Sequence, residues 1–358
     1  MSKRFVPFLL WTLGLLALAG SSFVLYNFAF NDWRVDGDFL SAESVRAIFQ
    51  GDDRSDDSTR LAGWEFPLSD SAIVEIDAAL CTISILPSGN DLAEIRLILS
   101  GDAVDTTLYQ ASSRSTDSSS LSITARPTQR WNGSSRGLVE IEILLPARSR
   151  LAIRLRTGDI RVDRMVGGMR LEMSDGAFEG TDLGGEIALR NAKGSVRLER
   201  SSAHGTIELR SGKVDLMFNN GDLVVAATDA VEARTHFAAL DVSTVEGAII
   251  AEIVSDHPRC RLQSDKGMIQ LKLLPGAHAT IAARSATPLV AHQLPLDLPD
   301  SVAVTPFSVV SPLNGGGDSV LVQTRSGAIL LETFGPPVVR APRFEIPHPD
   351  TGSEKSEE

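Results

Sequence analysis

The stretch that decides the fold is GDIRVDRMVGGMRLEMSD (158–175), GAFEGTDLGGEIALRNAK (176–193), GSVRLERSSAHGTIELRS (194–211) and GKVDLMFNNGDLVV (212–225), which repeats every eighteen residues. Glycine recurs at Gly158, Gly176, Gly194 and Gly212, and a second small-residue column runs Gly167, Gly185, Ala203, Gly221. Two apolar columns keep the same step: Ile160, Phe178, Val196, Val214, and Leu171, Leu189, Ile207, Val225. Each unit holds two short alternating runs, such as Ile160-Arg161-Val162 and Met169 to Met173, each announced by a small residue. Period-two alternation reads as strand, and glycine at a fixed offset marks positive φ or close backbone approach. A fixed period of this kind predicts stacked units. The expectation is an all-β protein: a single-chain β-solenoid of about eighteen residues per turn, its bore filled by the apolar columns.

Outward positions support the same register. In such a stack, residues eighteen apart lie one above another, about 4.8 Å apart. Arg161, Glu179, Arg197 and Asp215 form one column and Glu172, Arg190 and Glu208 another, each alternating in sign. Opposite neighbours on adjacent strands contribute roughly 0.2–1 kcal/mol a pair. Alternating sign leaves little net field for a partner, so the columns are read as a device for stability and register.

The 358 residues are 43% apolar, which is ample for a large core. A net charge of −12 excludes a nucleic-acid binder, which needs clustered positive charge. Cys81 and Cys260 lie far apart in apolar alternating runs and are expected as buried free thiols rather than a disulfide. From Phe5 to Phe30 there are twenty-six uncharged residues, preceded by Lys3 and Arg4 and followed by Asp32. That exceeds the roughly 20 needed to cross a bilayer, and the flanking charges keep the N-terminus cytoplasmic. Ala17-Leu18-Ala19 offers a signal-peptide alternative, but the apolar run continues well past it. Either way the body of the chain lies beyond the membrane, in periplasm or at the cell surface.

The expected organisation is a cytoplasmic stub and transmembrane helix (1–34), an acidic linker (35–60), a β capping region (61–156), solenoid repeats (157–285), a Pro-rich loop with terminal strands (286–334) and a disordered tail (335–358). Within the linker, Ser41 to Phe49 reads as one short helix, and the Asp52 to Ser58 cluster lacks the spacing of a calcium loop. In the capping region, alternation runs through Ile73 to Ile76, Cys81 to Ile85, Ile95 to Leu99 and Leu121 to Thr124, with a Ser/Thr-rich loop or hairpin between Gly101 and Ser120.

From Leu138 to Val162, an alternating strand ends at Pro146, a small-polar connector follows, then a second alternating strand and Thr157-Gly158-Asp159-Ile160-Arg161-Val162. This arrangement resembles a bacterial family of uncharacterised "putative adhesin" domains, related to auto-transporter adhesin heads. The strands from Val74 to Leu97, with Pro87-Ser88-Gly89 between them, are similar to that family's start, and the likeness covers about 70 to 285. It implies a β-solenoid on an anchored or secreted bacterial protein, with no catalytic residues to carry over.

After Val225 the period drifts, although Gly247 and Gly267 keep the turn role. Pro288, Pro295, Pro299, Pro306 and Pro312 predict an extended loop over the stack, since proline is confined to sheet edges. Val320 to Val322 and Ala328 to Leu331 read as a closing hairpin around Ser326-Gly327.

No catalytic, cofactor or metal constellation emerges. The six histidines, His204, His236, His257, His278, His292 and His348, show no pair at ligand spacing. Ser255-Asp256-His257 has the letters of a triad, but consecutive residues cannot align those groups. Asp159, Asp175 and Asp222 adjoin turn glycines, where aspartate stabilises bends. Gly315-Gly316-Gly317-Asp318 lacks the Lys-Ser/Thr of a phosphate loop, and Asn132-Gly133-Ser134 is a formal glycosylation acceptor. The residues singled out, Gly158, Gly176, Gly194, Gly212, Ile160, Phe178, Val196 and Val214, are structural. The expected function is a non-enzymatic interaction or adhesion module, bound to the membrane through its N-terminal helix and to an unknown protein or glycan. The alternatives are a self-associating envelope accessory and, more remotely, a carbohydrate-active enzyme.

Overall fold

The computed structural model describes residues 59–100, 109–127, 138–286, 290–292, 294 and 308–334, all within the unit Ser58–Glu358. The segment Phe5 to Phe30, nearly all of the acidic linker and the tail lie outside the described residues. The fold is all-β, with no helix among the described residues.

Before the glycine repeat lie β1 (Thr59–Pro67), β2 (Ile73–Ala78), β3 (Thr82–Pro87), β4 (Leu92–Ser100), β5 (Tyr109–Asp117), β6 (Ser120–Pro127), β7 (Leu138–Leu145) and β8 (Arg150–Thr157). The repeat supplies β9 (Ile160–Asp163), β10 (Met169–Thr181), β11 (Glu186–Asn191), β12 (Gly194–Glu199), β13 (His204–Leu209), β14 (Gly212–Met217) and β15 (Leu223–Ala227). Beyond it come β16 (Val231–His236), β17 (Leu240–Thr244), β18 (Ile249–Ile253), β19 (Cys260–Ser264), β20 (Ile269–Leu273), β21 (Ala279–Ser285) and β22 (Val290–His292). The last strands are β23 (Ser308–Leu313), β24 (Asp318–Thr324) and β25 (Ile329–Thr333).

The chain alternates between two parallel ladders, so that each rung is one strand in face B followed by one in face A. Face B runs β2, β8, the first half of β10, β11, β13, β15, β17, β19; face A runs β3, β9, the second half of β10, β12, β14, β16, β18, β20. Gly176 pairs with Gly194 and Gly194 with Gly212, steps of eighteen. Later steps vary: Val214 pairs with Val231, Val231 with Ile249 and Ile249 with Ile269.

Alternation sends one side chain inward and the next outward. Ile160, Phe178, Val196 and Val214 line up in face A and continue as Val231, Ile249 and Ile269, all at most 1% exposed. Leu171, Leu189, Ile207 and Val225 do the same in face B. Phe178 is the largest fully buried side chain, and it fits because Gly180 beside it has none: a Cβ there would sit 3.1 Å from the Phe178 ring and 2.9 Å from Leu198.

The glycine column is fixed by close approach. A Cβ on Gly176 would stand 1.8 Å from the Gly158 carbonyl oxygen, one on Gly194 1.9 Å from that of Gly176, and one on Gly212 1.5 Å from that of Gly194. Their φ angles, between +125° and +136°, are also ones that side chains disfavour. Corner aspartates act across rungs rather than within their own bends: Asp159 Oδ1 accepts from Ala177 N at 2.9 Å and Asp222 Oδ1 from Ala239 N at 3.0 Å.

The strands before Gly158 join the same ladders. β6 pairs with β2 in face B and β7 with β3 in face A, both parallel. Antiparallel strands then border the stack, β5 on β6 and β4 with β1 on β7. The Ser/Thr-rich segment therefore includes a true hairpin, β5 with β6. At the other end the expected closing hairpin does not form. β24 pairs parallel with β19 and β21 and β25 with β20 and β22, so the final strands slot between earlier rungs. Their core sides, Val320 and Val322 or Ile329 and Leu331, find a ready apolar column there, which a two-stranded hairpin lacks. Pro312 lies in β23, which among the described strands borders β21 alone, and proline is accommodated on such edge strands. Pro288, Pro295, Pro299 and Pro306 lie outside the described residues.

His236 is fully buried at a ladder irregularity, beside Thr235 at φ +55°. Its Nε2 faces the Ala239 carbonyl at 3.3 Å, and Nδ1 has no partner among the described residues. Burial pushes its pKa down, partly offset by the Ala239 carbonyl and the Asp222 charge.

Gly194→Val should destabilise the protein by about 2–5 kcal/mol, the sum of backbone strain and overpacking, read as a lower urea midpoint. Because the folded pKa of His236 is depressed, the unfolded chain takes up the proton first. Stability should therefore be intact above about pH 7 and fall as pH drops through the unfolded value of roughly 6.5 toward the folded one. Urea midpoints for the native chain and His236→Gln should converge on acidification; parallel curves would contradict this.

Candidate functional site

The charge columns extend across many rungs. In face B, Arg154, Glu172, Arg190 and Glu208 stand in register, with Arg154–Glu172 at 3.5 Å and Arg190–Glu208 at 3.2 Å. In face A, Arg161–Glu179 closes at 3.2 Å, whereas Arg197 turns to Glu199 on its own strand at 3.3 Å. Lys213 bridges Asp215 at 2.8 Å and Glu232 at 2.7 Å, which holds the Glu232 carboxyl below its ordinary pKa despite partial burial.

In face B the alternation stops after Glu208. The next outward positions in the column are Ala226, Ser243, Gln263 and Gln323, each in direct register with the one before. Where these neutral side chains, the first two of them small, replace the ion pairs, a groove of about 560 Å³ opens along the corner. Its rim on the corner side carries Arg210, Thr228, Val245, Asp265 and Arg325. Four steps of about 4.8 Å separate Glu208 from Gln323, so the groove runs about 19 Å across the strands.

Backbone groups on the groove floor are already committed to the ladders from β13 to β24, leaving side chains as the available donors and acceptors. The Ser243 hydroxyl lies 3.5 Å from the Val225 carbonyl, a long contact, and Gln263 accepts from the Arg261 guanidinium at 3.3 Å when its carbonyl is turned that way. Arg325 reaches Asp265 at 3.7 Å. Beneath the rim, the Thr244 and Ser264 hydroxyls donate to the Gly247 carbonyl at 3.0 and 3.3 Å, so the floor is tied to the corner. A second groove, about 440 Å³, lies at the equivalent corner nearer the N-terminal border, where Arg126 pairs with Asp77 and Arg154 with Glu172. Four of its charged groups form these two pairs, and Arg156 lines the groove beside them.

Gly158, Gly176, Gly194, Gly212, Ile160, Phe178, Val196 and Val214 all lie in face A or its corners and none lines either groove. The loss of sign alternation after Glu208 was present in the sequence and marks the groove. Two of the dispersed histidines do meet: the rings of His257 and His278 stack at 5.8 Å, and His278 Nδ1 faces the Asn314 carbonyl at 2.6 Å. Among the described residues no group of three metal-ligating side chains forms. Both cysteines are buried and unpaired, and burial pushes Cys81 up to about 11, against a hydrogen bond from Tyr109, and Cys260 up to about 12.

No protein-family model matches the chain, and no curated protein matches it. Among solved structures it is similar to a "putative lipid binding protein" from Parabacteroides distasonis, at 12% identity, covering 78% of this chain and 98% of that one, TM-score 0.38. It is also similar to a "putative adhesin" from Bacteroides fragilis, at 11% identity, covering 78% and 98%, TM-score 0.34. A "putative cell adhesion protein" from Clostridium sporogenes gives 9% identity, 77% and 100% coverage and TM-score 0.25.

Thiolates are needed for alkylation, and both thiols are held protonated and shielded. Native protein at pH 8 should resist iodoacetamide at both cysteines and take up two equivalents in guanidinium. Rapid labelling of the native state would contradict their burial.

Proposed function

We propose that this chain is a β-solenoid of about eighteen residues per turn that serves as a non-enzymatic binding module, and that the face B groove is where it binds. The observation carrying this reading is the replacement of a stabilising charge column by Ala226, Ser243, Gln263 and Gln323 where the groove opens. Each forgone pair gives up a few tenths of a kcal/mol of stability, and what is gained is an accessible row of neutral polar groups. A hydrolytic reading has poor support. The two carboxylates in the lining, Glu208 and Asp265, are three rungs apart, about 14 Å along the stack against the roughly 5–9.5 Å used by acid/base carboxylate pairs.

The uncharged segment Phe5 to Phe30 anchors the chain, with Lys3 and Arg4 on the cytoplasmic side and the β body outside. The net charge of −12 disfavours nucleic acid and anionic surfaces as partners. End-to-end self-association is disfavoured as well, because at the C-terminal end the described border strands are β23, which carries Pro312, in face B and β22, only three residues long, in face A.

The test is a photoreactive amino acid at Gln263, or at Arg190 as a comparison on the same face, in the full-length chain in its own membranes. Adducts from position 263 that are absent from position 190 are expected. Equal adducts from both positions, or none from 263, would remove the groove from consideration.

A further inference from the structure

The groove repeats itself as the protein does. Successive rungs present the same outward column at intervals of about 4.8 Å, here as Ser243, Gln263 and Gln323 in register. These side chains each both donate and accept hydrogen bonds. The charges in the lining balance, Glu208 and Asp265 against Arg210 and Arg325. From the groove assigned above, on which this inference rests, we infer that its ligand is a linear neutral polysaccharide lying along the stack, with successive sugar units addressed by successive rungs.

A ligand rich in hydroxyls, each able to donate and accept, matches amides and hydroxyls without requiring net charge, and a balanced lining gives an anionic polymer no advantage. A linear repeat laid across equally spaced rungs makes one favourable contact many times. An extended peptide fits less well. It binds sheets by adding its backbone to a free strand edge, whereas every strand from β13 to β19 is flanked on both sides by ladder partners. Anchoring peptide side chains also needs apolar pockets, and Val245 is the only large apolar side chain on the rim.

The experiment uses the full-length chain in phosphatidylcholine nanodiscs, titrated with β-linked gluco-, manno- and xylo-oligosaccharides of two to six units, with oligogalacturonates as the anionic comparison and a random peptide library. At least one neutral series should bind with affinity rising at least tenfold from dimer to tetramer and then levelling, because the groove spans about four rung steps of roughly 4.8 Å. Gln263→Ala with Gln323→Ala should weaken tetramer binding at least tenfold, while Arg197→Ala, on face A and away from the groove, leaves it unchanged. Ser243→Phe, which fills the floor, should abolish it with the thermal midpoint retained. Absence of binding by every neutral series at millimolar concentration, length-independent affinity, preference for oligogalacturonate, or retention of peptides alone overturns the inference. If photo-cross-linking at position 263 still captures a partner in those cases, the groove reading survives and only its ligand class is wrong.

Discussion

Everything in this protein depends on how closely the backbone of one strand can lie on that of the next in the ladder. At the corner entering face A, the carbonyl of one glycine occupies the volume that a Cβ on the glycine above it would need, with separations of 1.5 to 1.9 Å. Only a residue without a side chain permits that approach, and it permits it at every rung from Gly158 to Gly212. Once the corners are in register, the parallel ladders on both faces are in register too. The apolar columns then become continuous, and a single buried cluster extends from Leu68 to Leu331.

Such regularity constrains each side chain through its neighbours above and below. Phe178 can be large because Gly180 is empty, and charged residues outside alternate because stacked like charges repel. His236 shows the opposite case, a polar ring drawn into the core at a local irregularity, with one nitrogen unmatched among the described residues. The borders need a different solution, since a parallel stack exposes its last strand at each end. Among the described residues antiparallel strands supply it at one end, β1, β4 and β5, while at the other antiparallel β23 borders face B and the short parallel β22 borders face A.

The proposed binding groove lies where this regularity is relaxed. In the rungs that carry Ala226, Ser243, Gln263 and Gln323, the outward column no longer serves cohesion, and a groove takes the space that paired side chains fill elsewhere. A rigid floor with its backbone bonds satisfied can vary those outward residues at little cost to the fold. The core columns beneath them stay apolar throughout.

The sequence alone determined the all-β class, the inward apolar columns and the burial of both thiols, because each is a local or alternating property. Alternation reports which side chains face inward, and glycine reports where backbones touch. Tertiary structure decided what lacks a period. β24 and β25 resemble a hairpin in sequence but insert beside β19 and β20, since a strand's partner is chosen by the apolar column it completes rather than by its nearest neighbour along the chain. The stacking of His257 on His278 and the groove itself depend likewise on residues brought together from distant rungs. A change from charged to small side chains is visible in the text, but the hollow it makes exists only once those rungs lie side by side.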